Sequence, residues 1–290
     1  MIRAEDIQII PKDSALYPKA WRALSDAPEA LYAVGNTQLL SSRTFTAVGS
    51  RQITASAVKW SAETAKELSH TFTLVTGTAE GGDGAIVEGA LAGSGNVICV
   101  LAGGFKHIPQ GNLLALERVA KRGLLLSPYP VDTPVRNFSY EYRNKLLASL
   151  TEGTLVVSAG EKSGALITAK WARKFEKPLF ALPYFPSTAT GAGCNALLKT
   201  GALLVENAED IFEYYGIRRA QEEEKQKPSL TAEEEAFYNA LTVEGEMHVA
   251  TLSQKTGVPV FRAKAVLSSL EVKGLVTACG GNRYEAVLKK

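Results

Sequence analysis

Two glycine-closed strand-to-helix turns in quick succession constrain this chain more than any other feature. Residues 44–48 read as a buried strand that stops at Gly49-Ser50-Arg51, and a helical pattern follows over 54–70. The arrangement then repeats. Residues 73–76 run into Gly77-Thr78-Ala79-Glu80-Gly81-Gly82, and a second helix opens near Asp83. Glycine at such a turn lets backbone N–H groups come close to an anion, and the helix start adds partial positive charge. The pattern predicts two phosphate-sized pockets side by side, one of them carrying Arg51, and therefore a phosphate-bearing ligand.

The series continues. Near-continuous apolar stretches at 97–101, 124–127, 154–157, 178–182 and 202–205 alternate with helical stretches near 112–122, 140–150 and 164–175. Strands of this kind are buried on both faces, so the expected fold is α/β, a Rossmann-like, doubly wound, mostly parallel sheet. Such a sheet binds ligands at the carboxyl ends of its strands, where the glycine-rich segments fall. Residues 1–40 read as a lead-in and 41–216 as the Rossmann-like domain. Residues 217–229 are charged and poor in apolar groups, which predicts a solvated linker. Within 230–290, three helical patterns near 231–241, 248–256 and 259–273 precede a β-hairpin pattern, the order of a small winged-helix domain.

Net charge narrows the partners. With 32 basic and 30 acidic residues the formal charge is only +2, so nucleic-acid binding must come from local clustering. The three cysteines, Cys99, Cys194 and Cys279, lie far apart without metal-ligand spacing, which predicts no metal site and a reducing compartment. Met1 leads into Ile2-Arg3-Ala4-Glu5-Asp6 with no signal-peptide pattern, and no apolar run approaches the roughly 18 residues of a membrane span. A cytoplasmic protein is expected. The histidines His70, His107 and His248 sit in separate units, and no serine has a patterned His and Asp partner, so no catalytic set and no cofactor are expected.

Four segments are candidate binding elements, each with a plain structural alternative. Gly49 and Ser50 can offer N–H and hydroxyl donors while Arg51 offers a guanidinium fork, or the segment is an ordinary turn. Gly77, Thr78, Gly81 and Gly82 form a loop richer in glycine than a plain turn needs. It lacks the Gly-Lys-Ser/Thr of a Walker loop and the spacing of a dinucleotide fingerprint. Arg136 to Lys145 places three cations, Arg136, Arg143 and Lys145, among three aromatics, Phe138, Tyr140 and Tyr142. This suits single-stranded nucleic acid, with bases stacked on rings and phosphates held by cations, or else a helix with a core face and a solvated face. Ser163-Gly164 opens a helix and is either an anion site or a close-packing turn.

Taken in order, Leu16-Tyr17-Pro18-Lys19, Leu31-Tyr32-Ala33-Val34-Gly35-Asn36, Val48-Gly49-Ser50-Arg51, the loop 76–83, Leu125-Leu126-Ser127-Pro128-Tyr129-Pro130, Arg143-Asn144-Lys145, Ser163 to Ala169 and Gly193 to Leu198 resemble the DprA (Smf) DNA-processing family. The resemblance implies a non-enzymatic protein that binds single-stranded DNA in transformation and recombination, loads a RecA-type recombinase and forms a homodimer. It maps DNA contacts to Gly49, Ser50, Arg51, the loop with Gly77, Thr78, Gly81 and Gly82, Arg143, Asn144, Lys145, Ser163 and Gly164, with Phe138 and Tyr142 as base-stacking candidates. The chain departs from the family pattern at Glu80, where arginine is usual, at Gly82, where isoleucine is usual, and at Lys145, where a second arginine is usual. The amino-terminal helical domain of many members is not matched. These departures leave two other readings open: a paralogue in phage defence or a toxin–antitoxin pair, and a protein-interaction module. A nucleotide-hydrolysing Rossmann-like enzyme would need a Pro-Gly-Gly-x-Gly-Thr motif, which is absent.

Overall fold

The computed structural model describes residues 3–108, 113–218 and 230–287. Asn112, expected at a helix start, and most of the 217–229 linker lie outside them. The chain divides into two compact units, 1–218 and 219–290.

The first unit opens with β1 (Gln8–Pro11), α1 (Lys19–Arg22) and β2 (Ala30–Gly35). Then follow β3 (Thr44–Gly49), α2 (Ala55–Leu68), β4 (Thr73–Thr76), α3 (Gly82–Ala92), β5 (Val97–Val100), α4 (Leu113–Arg122) and β6 (Leu124–Ser127). The second half comprises α5 (Asn137–Leu150), β7 (Thr154–Ser158), α6 (Ala165–Lys174), β8 (Leu179–Ala181), α7 (Ala192–Lys199), β9 (Leu203–Leu204) and α8 (Ala208–Tyr214). The nine strands form one sheet in the order β1-β2-β6-β5-β4-β3-β7-β8-β9. From β6 to β9 every pairing is parallel, while β1–β2 and β2–β6 are antiparallel.

The expected lead-in over 1–40 is therefore corrected. Its first strands extend the sheet, and Trp21 is wholly buried with its Nε1 donating to the Leu146 carbonyl of α5 at 2.9 Å. A single Trp outweighs a weakly patterned neighbourhood because its ring removes a large apolar area from water. The sheet carries an apolar core on each face: one joins Trp21, Leu147 and Ala169, the other Leu68, Ile86 and Val119. Strand β3 is buried at all six positions, as a central parallel strand requires.

Strand order decides where the site lies. From β3 the chain winds one way through β4, β5 and β6, then crosses back to place β7 on the other side of β3. The carboxyl ends of β3 and β7 thus flank the topological switch point, where a doubly wound sheet opens a crevice.

The second unit contains α9 (Ala232–Glu244), β10 (Met247–His248), α10 (Val249–Thr256), α11 (Val260–Val272), β11 (Val276–Gly280) and β12 (Arg283–Ala286), with sheet order β10-β12-β11. It is a winged helix. Helix α9 opens on a capping box in which Thr231 Oγ1 accepts from Glu234 N and Glu234 Oε2 accepts from Thr231 N. Phe237, Leu252, Leu267 and Leu270 fill its own core.

Candidate nucleic-acid interface

A cleft of about 600 Å³ opens at the β3/β7 switch point. The turn after β3 supplies Gly49, Ser50 and Arg51, the turn after β7 supplies Lys162, Ser163 and Gly164, and α5 supplies Tyr140, Arg143 and Asn144. Arg51 and Lys162 are exposed, whereas Arg143 and Asn144 are 5% and 6% exposed.

Helical geometry explains which α5 residues arrive. Tyr140, Arg143 and Asn144 stand three and four positions apart and share one face. Arg143 Nε donates to Asn144 Oδ1 at 2.9 Å, Arg143 Nη1 to the Val100 carbonyl at 2.8 Å, and Asn144 Nδ2 to the Gly164 carbonyl at 3.2 Å. The guanidinium is thereby fixed at the rim, 6.0 Å from the Tyr140 ring centroid.

Lys145 is not brought to the cleft. It lies two positions beyond Arg143, about 200° around a helix of 3.6 residues per turn. Its Nζ reaches Asp26 Oδ1 and Oδ2 at 2.6 and 2.7 Å and sits 5.1 Å from the Trp171 ring centroid. Tyr142, three positions earlier, shares that far face: its hydroxyl donates to the Asp26 carbonyl at 2.5 Å and its ring meets Tyr129 edge-on at 6.1 Å. Phe138 is 61% exposed beside Arg136 and does not line the cleft. The ring at the cleft is Tyr140, and the second exposed cation is Lys162. Tyr140 was legible from its spacing to Arg143, whereas Lys162 carried no signal beyond standing next to Ser163-Gly164.

The glycine loop does something other than cradle a ligand. Gly49 N donates to Asp83 Oδ1 at 3.1 Å, Ala79 N to Asp83 Oδ2 at 3.3 Å, and Gly82 N to the Ser50 carbonyl at 3.0 Å. An internal carboxylate thus takes one N–H from each of the two turns where phosphate pockets were expected. The glycines are needed for close approach. A Cβ on Gly82 would collide with the Gly49 backbone, one on Gly77 with the Asp83 carboxylate and Arg143 guanidinium, and one on Gly81, at φ +78°, with the carbonyls of Ser50 and Arg51. Of this loop only Ala79 lines the cleft; Gly77 and Gly82 are buried, Thr78 and Gly81 partly buried, and Glu80 is exposed.

The electrostatics follow. Burial pushes the Asp83 carboxyl up, against the pull of Arg143 and the two N–H donors. Burial likewise lowers Arg143, with Asp83 opposing. Burial raises the Cys99 thiol, so that side chain is an inert core group. The cleft's exposed cations are Arg51 and Lys162, while Arg143 lines it as a buried, partly committed guanidinium. Ser50 Oγ is already bonded to Ser158 Oγ at 2.7 Å and to the Gln52 carbonyl. Among the described residues no cluster of His, Cys, Asp and Glu could hold a metal, and no helix is long and apolar enough to cross a membrane.

A doubly wound α/β domain with a cationic switch-point cleft, followed by a winged helix, defines a class of nucleic-acid-handling protein. Residues 8–216 match the family model of DNA recombination-mediator protein A, and 221–282 match that of the DprA winged helix domain. The chain is 36% identical over 222 residues to the DNA processing protein DprA of Bacillus subtilis, spanning 76% of this chain and 75% of that one. It is 31% identical over 283 residues to the protein Smf of Escherichia coli, spanning 94% and 76%. Among solved structures, DprA from Streptococcus pneumoniae superposes with a TM-score of 0.67 at 28% identity over 72% of this chain and 74% of that one. DNA processing protein A from Helicobacter pylori, whose study describes a single-stranded DNA binding mode, gives 0.65 at 29% over 72% and 95%. The chain belongs to the DprA/Smf family of DNA recombination mediators, a family of mediators rather than enzymes.

Proposed function

We propose that the protein binds single-stranded DNA in the switch-point cleft and presents it to a RecA-type recombinase in the cytoplasm. One observation carries this reading: the turns after β3 and β7 and one face of α5 bring Arg51, Arg143 and Lys162 to a single opening, although they are far apart in sequence. The Helicobacter pylori relative supports it, since its study concerns single-stranded DNA. The contacting residues in this reading are Ser50, Arg51, Tyr140, Arg143, Asn144, Lys162, Ser163 and Gly164, with Gly49 and the Gly77–Gly82 loop shaping the wall. A homodimer is part of the proposal. Strand β9 is a sheet edge with Leu203 and Leu204 39% and 51% exposed, and an uncovered edge of this kind pairs readily with a second copy.

The test is a salt titration of fluorescence anisotropy with oligo-dT against a duplex of equal length. Three cations predict a slope of log K against log salt of about −2 for the single strand. Equal affinity for duplex and single strand would refute the assignment.

A further inference from the structure

Helix α6 carries positive charge away from the cleft. Its Ile167 lines the opening. Lys170 and Lys174 follow three and seven positions later, which places all three within about 60° on a helix of 3.6 residues per turn. Ala165, Thr168, Ala169 and Ala172 form the buried face. The stripe of Ile167, Lys170 and Lys174 therefore looks outward and runs about 10 Å from the cleft at ~1.5 Å per residue. Lys170 and Lys174 are exposed, and neither has a carboxylate partner among the described residues. Lys174 Nζ lies 4.6 Å from the centroid of the Trp171 ring, an attraction that holds it alongside the helix.

Helix stability does not account for this pair. Residues Ala165–Lys174 include no Asp or Glu, and like charges four positions apart repel. A cation in the last turn suits the helix dipole, which covers Lys174 but not Lys170 a turn earlier. Arg173, the third cation, turns elsewhere and donates to the Leu197 and Thr200 carbonyls at 3.3 and 3.1 Å. Glu161 and Glu176 are exposed but lie beyond the two ends of the helix. A single small anion needs one ammonium. Two, with Cβ atoms ~5–6 Å apart, suit a ligand of repeating charge, such as a strand that carries a phosphate every ~3.4 Å when stacked.

Resting on the single-stranded DNA reading above, we infer that the bound strand leaves the cleft along the outer face of α6, where its phosphates meet Lys170 and Lys174. The binding surface is therefore longer than the cleft, and about three phosphates at the stacked spacing lie on α6 beyond Ile167. Continuity selects the strand over an acidic peptide as the occupant, because the stripe starts at a residue of the cleft itself.

Anisotropy titrations of the full chain with dT tracts of about 4 and about 16 nucleotides, the span of known single-strand sites, test this. The short tract, held by the cleft alone, keeps the salt slope of about −2, and the long tract, with two more phosphate contacts, reaches about −3.5. The double variant Lys170→Ala/Lys174→Ala weakens the long tract about tenfold at low salt, returns its slope to about −2 and leaves the short tract unchanged. Lys170→Arg/Lys174→Arg keeps the charge and behaves as the unsubstituted chain. Lys66→Ala/Lys121→Ala removes the same charge from α2 and α4, which pack on the opposite face of the sheet, and changes neither tract by more than about twofold. All four lysines are exposed, so the variants fold. Equal slopes for the two tracts, or a loss in the Lys66/Lys121 variant that matches the Lys170/Lys174 variant, overturns the inference and leaves the cleft reading standing. If neither tract binds, both fall together.

Discussion

Alanine at Lys145 and alanine at Arg51 will separate stability from binding, although the sequence presents both residues as phosphate contacts. Lys145 is 14% exposed at its side chain, bonds both oxygens of Asp26, and lies over Trp171. Removing it loses a charge-assisted hydrogen bond and a cation–π contact. Asp26 is 48% exposed and rehydrates, so no buried charge is stranded. The net cost is about 1–2 kcal/mol. At ~2–4 °C per kcal/mol for a domain of this size, the melting temperature falls by about 2–8 °C. Arg51 is exposed and has no ion pair among the described residues. Its loss changes stability by less than ~0.5 kcal/mol. It removes a charge-assisted phosphate contact of about 1.5–3 kcal/mol, roughly a 10- to 150-fold loss of single-strand affinity. Differential scanning fluorimetry and anisotropy with labelled oligo-dT at 100 mM salt, about one Debye length of 10 Å, read the two effects. Lys145→Ala that weakens binding as Arg51→Ala does, with an unchanged melting temperature, would refute the assignment of α5 faces.

Three further outcomes are expected. Glu80→Arg tightens single-strand binding at low salt, because an exposed carboxylate near the cleft becomes a cation, and the gain fades as the Debye length shrinks to ~3 Å at 1 M; titrations at both salts check it. Gly82→Ala forces a Cβ onto the Gly49 backbone, destabilises the first unit by about 1–3 kcal/mol and weakens binding by displacing Arg51, as urea melts and anisotropy will show. In the winged helix, the Lys273 ammonium, the Thr231 N–H and the Ser269 hydroxyl hold the Glu234 carboxyl down at about 2, from an ordinary value of 4.5. A depressed folded value means its stabilisation is complete above the unfolded value and lost as pH falls through about 2. Hydrogen exchange of α9 and α11 amides in the full chain should report this loss, and Glu234→Gln should abolish the pH dependence in that window.

The fold was legible because its signal is redundant. Each parallel strand is a short, mostly apolar run, and each helix has its own period, so one misread element leaves the rest in place. The first two strands were missed for a physical reason. β1 carries a proline and an exposed Ile9 and pairs on one side only, and β2 is antiparallel to its neighbours. An edge strand such as β1 and an antiparallel strand such as β2 lack the continuous apolar run that central parallel strands show.

The site was legible to a lesser degree, and the misses have one cause. A run such as Arg136 to Lys145 looks like a cluster in one dimension, but a helix distributes it over its whole circumference, so adjacent cations serve opposite ends of the protein's chemistry. Arg143 faces the cleft, and Lys145 ties α5 to the loop bearing Asp26. The same reasoning bears on the winged helix. Between residues 230 and 287 seven carboxylates face five cations. Arg262 pairs with Glu233 at 3.1 Å, Lys273 with Glu234 at 2.7 Å, and Lys255 and Arg283 pair with Glu244 and Glu246. Of the three cations at α11, only Lys264 has no carboxylate partner among the described residues, while Phe261 on the same helix is 81% exposed. A helix that reads duplex DNA needs several uncommitted cations for phosphates and bases. Here four of the five are paired within the unit, whereas at the switch-point cleft Arg51 and Lys162 stand without carboxylate partners among the described residues.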